Sequence, residues 1–264
     1  MKMLQFYLHV WFRLVMNSFK TQMATPLGSV GYLIGKLLRI GFFLGYLTAL
    51  FGKVPILNGY GAPEIVLFFM TFNLIDVGGQ FLFRGIYGIK SLIEEGDFDK
   101  YLTQPVHLLF RISVMGTDFL DLLTLVPIFF FIGWAFVRLP GPIDPINIIA
   151  YVLLLMNAII ISYAFHVMVG ALSVKTQEVE SAIWIYRDVM SLGRFPVSIY
   201  NDFMRIVFIT VVPIGVMVSF PAQALLKKMT LPLMIYAFIL GLSVHFLAQM
   251  IWRRTLKSYS SNSG

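Results

Sequence analysis

Six long apolar runs dominate this chain, each near the length that a helix needs to cross a bilayer: Val30 to Phe51, Pro63 to Tyr87, Leu109 to Val137, Ile146 to Leu172, Met204 to Leu226 and Leu231 to Trp252. A hydrocarbon core about 30 Å thick requires about 20 predominantly apolar residues per helix, at 1.5 Å of rise per residue. Spanning barrels instead show alternating segments of about ten residues. The runs therefore predict an all-α integral membrane protein with six transmembrane helices. Composition agrees, with 58% hydrophobic and only 12% charged residues and a mean hydropathy of +0.82, whereas soluble domains carry about a quarter charged residues. The expected organisation is a single transmembrane domain: an amphipathic connecting helix over 1–25, a six-helix bundle over 26–252 and a cytoplasmic tail over 253–264.

The net charge of +7 raises the question of a nucleic-acid or anionic partner. Placing the 20 Lys and Arg residues answers it. With both termini cytoplasmic, fourteen fall inside: Lys2, Arg13, Lys20, Arg84, Lys90, Lys100, Arg111, Lys175, Arg187, Arg194, Arg205, Arg253, Arg254 and Lys257. Lys53, Arg138, Lys227 and Lys228 fall outside, and Lys36 and Arg39 sit toward the inner end of the first crossing. This bias is the positive-inside rule, so no nucleic-acid partner is needed. Cysteine is absent, which removes disulfides, thiolate catalysis and cysteine-held metals and fits a cytoplasmic membrane. Arg13 interrupts the first apolar stretch, so a cleavable signal peptide is not expected.

Lys2 to Gln22 differs in kind from the crossings. On a helix, Lys2, Gln5, His9, Arg13 and Lys20 fall within roughly an 80° arc, while Leu4, Tyr7, Trp11, Leu14 and Val15 gather opposite. That pattern suits a helix lying in the membrane interface, as an anchor or as a contact to a partner subunit. The first crossing carries Gly31-x-x-x-Gly35 and Gly41-x-x-x-Gly45, a common spacing that lets helix backbones approach closely.

The second crossing places Asn73, Asp76, Gln80 and Arg84 in one polar stripe. The third carries Ser113, Thr117, Asp118, Asp121 and Thr124, mostly on one face. Ionisable groups at such depth are costly unless paired or hydrated. Three readings compete for Asp76, Asp118 and Asp121: structural pairing with Lys36, Arg39 or Arg84; a hydrated substrate path or subunit interface, to which Asn73 and Gln80 would also belong; and proton-relay chemistry. His166 and His245 read as hydrogen-bonded packing residues, with Ser162 one turn before His166 and no carboxylate at metal-binding spacing.

Between the second and third crossings lies a polar island, Ile93 to Pro105. Phe98, Tyr101 and Leu102 recur there at helical spacing, with Asp97 as N-cap and Glu94, Glu95, Asp99 and Lys100 exposed. A short amphipathic helix on the cytoplasmic side suits docking into a groove of another protein, as against an ordinary solvated turn. A second stretch, Lys175 to Asn201, reads as too polar to span because of Glu178, Glu180, Arg187, Asp188 and Arg194, and as an inner extension of the fourth helix with a turn at Gly193 to Pro196. Pro213 and Pro221 interrupt the fifth crossing, so Phe220 to Leu231 is expected to be re-entrant or external.

Several of these segments carry a resemblance: Glu95 to Val106, Arg194-Phe195-Pro196-Val197-Ser198-Ile199-Tyr200, Pro213 to Pro221, and Trp252 to Ser261. In order and spacing they resemble an ABC-2 type transporter permease of the compact six-helix branch, with a type V exporter-like fold. The resemblance implies a membrane subunit of a bacterial exporter in the cytoplasmic (inner) membrane. It would pair with a second permease, identical or related, and with two separate ATPase subunits that hold ATP and magnesium. It further implies an interfacial connecting helix at Lys2 to Gln22 and re-entrant external helices at Phe220 to Leu231. The loop after the second helix contacts the ATPase in that family, a role that falls on Glu94, Glu95, Gly96, Asp97, Phe98, Asp99, Tyr101, Leu102 and Pro105.

The residues fit that division of labour. No Gly-x-x-x-x-Gly-Lys-Ser/Thr loop is present; Gly31-Tyr32-Leu33-Ile34-Gly35-Lys36-Leu37 has the wrong spacing and lacks the hydroxyl. His-Glu-x-x-His and Gly-x-Ser-x-Gly are absent as well. The expectation is a chain with no catalytic residues, no metal and no cofactor of its own. An ATP-independent secondary transporter or channel using the intramembrane carboxylates is the alternative.

Overall fold

The structure is a computed structural model that describes residues 2–23, 26–176 and 179–259. Glu178 of the second polar stretch and Ser260 and Ser261 of the closing motif lie outside the described residues. Twelve α-helices are present among the described residues: α1 (Lys2–Met23), α2 (Pro26–Phe51), α3 (Ala62–Phe83), α4 (Ile89–Glu94), α5 (Asp97–Leu102), α6 (Leu108–Met115), α7 (Phe119–Arg138), α8 (Pro145–Thr176), α9 (Val179–Ser191), α10 (Asp202–Thr210), α11 (Phe220–Leu225) and α12 (Leu231–Ser258). Helices are the expected solution, since backbone polar groups in hydrocarbon must be satisfied within their own segment.

Five of these helical stretches are long and apolar enough to cross a membrane: Gly28–Phe51, Ala62–Glu94, Phe119–Arg138, Pro145–Thr176 and Leu231–Ser258. The α3 stretch is the buried centre of the bundle, with Ile65, Leu67, Phe68, Met70 and Ile75 fully enclosed. It continues through a 3₁₀ turn (Arg84–Gly88) into α4. By contrast, α2 stands at the edge with much of its apolar surface uncovered, including Ile34, Leu38, Phe42 and Tyr46. A Cβ on Gly31, Gly35, Gly41 or Gly45 would meet nothing within 4 Å, so these glycines serve no close packing inside the protomer.

The close backbone approach lies elsewhere. A Cβ on Gly85 would sit 1.9 Å from the Ile112 carbonyl oxygen, and one on Gly116 would sit 2.6 Å from the Gly85 Cα. Only glycine permits this contact between the 3₁₀ turn and the end of α6. The third crossing is correspondingly not one helix from Leu109 to Val137. It breaks at Gly116 and Thr117, and Asp118 caps α7 by accepting a hydrogen bond from the Leu120 amide at 2.9 Å.

Helix α1 lies across this break as its amphipathic pattern predicts. Leu14 and Val15 pack on Val114, Tyr7 on Phe110 and Trp11 on Phe81. The Gln22 side chain accepts from the Phe119 amide at 3.1 Å and donates to the Thr117 carbonyl at 3.3 Å, supplying partners that the broken backbone leaves open. This face, with α1, α4 to α6 and the end of α12, is called the near face below.

The far face is tied together by loop contacts. Asn58 and Gly59 form a tight turn at φ 48° and 79°. From that turn Asn58 donates to the Ser198 carbonyl at 2.6 Å, and Lys228 donates to the Gly59 carbonyl at 3.2 Å and to Glu64 at 3.3 Å. Lys227 pairs with Asp144 at 2.6 Å. Ser198 therefore belongs to the far face, whereas Thr176 ends α8 at the near face. The stretch 179–198 therefore runs from the near face to the far face instead of extending α8 inward as expected, and the pair Asp202–Thr210 and Gly215–Leu225, within the expected fifth crossing, is sharply bent. Helix α9 runs back along α8, with the Tyr186 and Ser162 hydroxyls 3.3 Å apart.

The region assigned to the fifth crossing is a re-entrant hairpin of the far face. Helix α10 and the following helix, a π-helical turn (Gly215–Ser219) continued by α11, meet at 82°. Ser219 Oγ accepts from the Val197 amide at 3.1 Å, and Ile214 lies against Gly193. The hairpin thus dips to Pro213 and returns. It is larger than the expected Phe220 to Leu231 and begins earlier; Pro221 opens α11 rather than breaking it, because proline suits the first helical turn. Arg205, paired with Asp202 at 2.7 Å, accordingly lies on the far face rather than inside.

Candidate functional site

Two features stand out: the short helix α5 on the near face, and a set of charges where α2, α3 and α7 meet. In α5, Gly96 rather than Asp97 takes the N-cap position, in the left-handed conformation at φ 74° that favours glycine. Asp97 is the first helical residue and pairs with Lys100 at 2.5 Å. Phe98 points down and is fully buried, edge-on to the Tyr259 ring at 5.1 Å. Burial, together with a hydrogen bond to the Asp99 carboxylate, pushes the Tyr259 hydroxyl above the usual phenol range. Tyr101 is half-buried under the Arg111 guanidinium, 5.5 Å from its ring centre. What remains outward is Glu94, Glu95, Leu102 and Pro105. Phe98 is therefore the foot of α5 and not part of its outer surface.

The charged groups separate into two tiers. In the lower tier, Arg84 reaches Asp118 and Asp121 at 2.6 Å each and Gln80 Oε1 at 3.2 Å. Lys36 pairs with the other oxygen of Asp121 and lies 4.3 Å from the Tyr32 ring centre. Two cations face two carboxylates, and all four carboxylate oxygens accept a hydrogen bond. Asp121 and Thr124 are fully buried, and Thr124 returns its hydroxyl to the Leu120 carbonyl. This tier joins α2, α3 and α7 at the near-face end of α7.

The upper tier lies near mid-membrane. Asp76 faces Arg39 across 3.5 Å, a looser contact than any in the lower tier. Asn73 takes no part: its amide donates to the Phe69 carbonyl of its own helix at 2.7 Å. The sequence grouping of Asn73, Asp76, Gln80 and Arg84 is thus split three ways. Arg194, expected among the inside charges and not as a site residue, has its guanidinium over Phe72 of α3 at 5.7 Å, one helical turn from Asp76. His166 bonds the Ser162 carbonyl at 2.7 Å and Tyr87 at 2.8 Å, while His245 stacks on Tyr163. No cluster of three or more His, Cys, Asp or Glu able to hold a metal occurs among the described residues.

A family model described as ABC-2 family transporter protein matches residues 37–263. The chain belongs to this family. It is a membrane component of a transporter, with the nearly all-helical architecture that the resemblance implied. The match covers every crossing beyond the first half of α2, including the α9 stretch, the re-entrant hairpin and α5. Comparison with curated proteins gives no match, and comparison with solved structures gives none.

Proposed function

We propose that this ABC-2 chain is the permease subunit of an ATP-driven exporter in the bacterial cytoplasmic membrane, with the near face and both termini cytoplasmic. Two such permeases, identical or related, form the path, and two separate ATPase subunits supply ATP hydrolysis with magnesium; the chain itself contributes no catalytic residue, metal or cofactor. Residues 1–25 serve as connecting helix, 26–252 as the bundle and 253–264 as tail of a single domain.

The observation that carries this reading is the construction of α5. A short helix held from beneath by Phe98 and Tyr259 presents acidic and apolar groups outward, which suits insertion into a groove on a soluble subunit. It is joined through α4 and the 3₁₀ turn to α3, the buried core of the bundle. Closure of the ATPases would press on Glu94, Glu95, Asp97, Asp99, Leu102 and Pro105 and move α3 relative to α2 and α7, opening the path outward. Asp76, Asp118 and Asp121 are each engaged by a cation, which supports pairing over proton relay.

Affinity purification of the tagged chain from its native membrane, followed by mass spectrometry and an ATP hydrolysis assay, tests the reading. A nucleotide-binding ATPase is expected in the eluate, with turnover reduced about tenfold by Leu102→Asp and folding unchanged, because Leu102 is exposed. Phe98→Asp is unsuitable for this purpose, since a buried carboxylate there would disrupt α5 itself. Unaltered turnover in Leu102→Asp would remove α5 from the coupling path.

A further inference from the structure

The upper tier carries an uncompensated charge. Phe72 lies about 15 Å along α3 from its far-face end and Asp76 about 21 Å, at 1.5 Å per residue; Arg39 lies midway along α2. All three therefore sit within the hydrocarbon thickness of about 30 Å. Arg39 pairs with Asp76, and Arg194 lies over Phe72, one helical turn before Asp76, so two guanidinium groups and one carboxylate share this part of α3. Arg194 makes no hydrogen bond and no ion pair among the described residues; its one partner is the face of Phe72. Both arginines are only partly covered.

A charge at mid-membrane is costly, by about 2.5–3.5 kcal/mol even on translocon-based scales, and proteins keep one there only beside a counter-charge or water, usually for function. The lower tier shows how this chain matches its charges when the role is structural: two cations, two anions, every carboxylate oxygen used. The upper tier lacks one anion. Its aromatic walls are ordered, with Phe43 stacked on Phe69 at 4.0 Å and tilted against Phe195 at 5.5 Å. The Arg39 side of the tier lies on α2, which is among the least covered helices of the bundle. An arginine stacked on an aromatic face keeps its planar fork free for an oxyanion, to which it binds in bidentate fashion.

We infer that Arg39, paired with Asp76, and Arg194, stacked on Phe72, form a mid-membrane binding site for an oxyanion of a phosphate or carboxylate type. On the proposed permease reading, on which this rests, the site lies on the transport path and takes the anionic group of an amphipathic cargo. Asp76 then acts as the competing internal anion: it holds the arginines when the site is empty and weakens retention enough for release. The oxyanion comes either from a lipid headgroup on the partly uncovered side of α2 or from a free anion in a hydrated path.

The test uses the full chain with whatever partners it retains, purified in a mild non-ionic detergent. In one arm, native mass spectrometry follows uptake of dioleoylphosphatidylglycerol against dioleoylphosphatidylcholine. In the other, potassium phosphate is titrated against potassium chloride at equal ionic strength while thermal unfolding is recorded. The native chain is expected to prefer the anionic lipid about tenfold, or to gain several degrees with phosphate; the first result identifies a headgroup and the second a free anion. Arg194→Gln and Arg39→Gln should each lower that preference to threefold or less, Arg194→Lys should keep part of it, and Lys53→Gln on the far-face loop should not change it. Equal retention of both lipids with no phosphate effect in the native chain overturns the site, as does full preference in both Gln variants. An eluate without an ATPase would sink the exporter reading alone, since neither binding arm depends on nucleotide.

Discussion

Two ion clusters share the same helices yet are built to opposite rules. The lower one, Lys36, Arg84, Asp118 and Asp121, balances its charges and uses every carboxylate oxygen. The upper one, Arg39, Asp76 and Arg194, is held by one 3.5 Å pair and a ring contact. The difference separates charge that joins helices from charge that waits for a partner. A buried pair is itself weak evidence of stabilisation, but removing one member leaves the other exposed to the full desolvation penalty.

The largest effect should follow from breaking the lower cluster. Asp121→Asn leaves Lys36 and half of the Arg84 fork without an anion, and a loss of about 3 kcal/mol or more is expected, seen as a collapsed melting temperature in detergent. Arg84→Lys keeps the charge but loses the fork that spans two carboxylates, so a loss of about 1–2 kcal/mol should be measured in the same assay. Asp76→Asn probes the upper cluster and sharpens the contrast: it removes only one 3.5 Å contact to a partly exposed arginine, so the loss of stability should be smaller than for Asp121→Asn, while retention of the anionic probe rises about tenfold. Equal destabilisation by Asp76→Asn and Asp121→Asn would erase the distinction.

The same contrast explains what could be seen in the sequence. Apolar periodicity marked α2, α3, α8 and α12 to within a few residues, because long runs leave little choice in a bilayer. The two faces of α1 and the short helix α5 were legible from spacing alone. The fifth crossing was not, because Arg187, Asp188 and Arg194 lower its hydropathy below that of the neighbouring Met204 to Leu226 run. Of these, Arg194 is drawn onto Phe72 of α3, a contact that no window average registers, and the more apolar run folds into a hairpin around Pro213. Asp118, Asp121 and Asp76 were recognised as one kind of residue. Their division into balanced and unbalanced tiers needed Arg194, more than a hundred positions away from Asp76.

Gly85 and Gly116 left no mark at the sequence level either, since two glycines on separate segments form no motif. Their backbone contact nonetheless has a mechanical consequence. The stretch Ala62–Glu94 passes through its 3₁₀ turn as one span, and at this contact the α6 backbone lies directly against it. A grip of that kind is a fulcrum. From it Glu94, at the root of the docking helix, lies about 15 Å in one direction and Asp76 about 14 Å in the other, at rises of 1.5–2.0 Å per residue. On the proposed coupling role of α5, arms of nearly equal length would give a lever ratio close to one, so that a swing of a few ångströms at α5 would reach Asp76 at similar size and in the opposite direction.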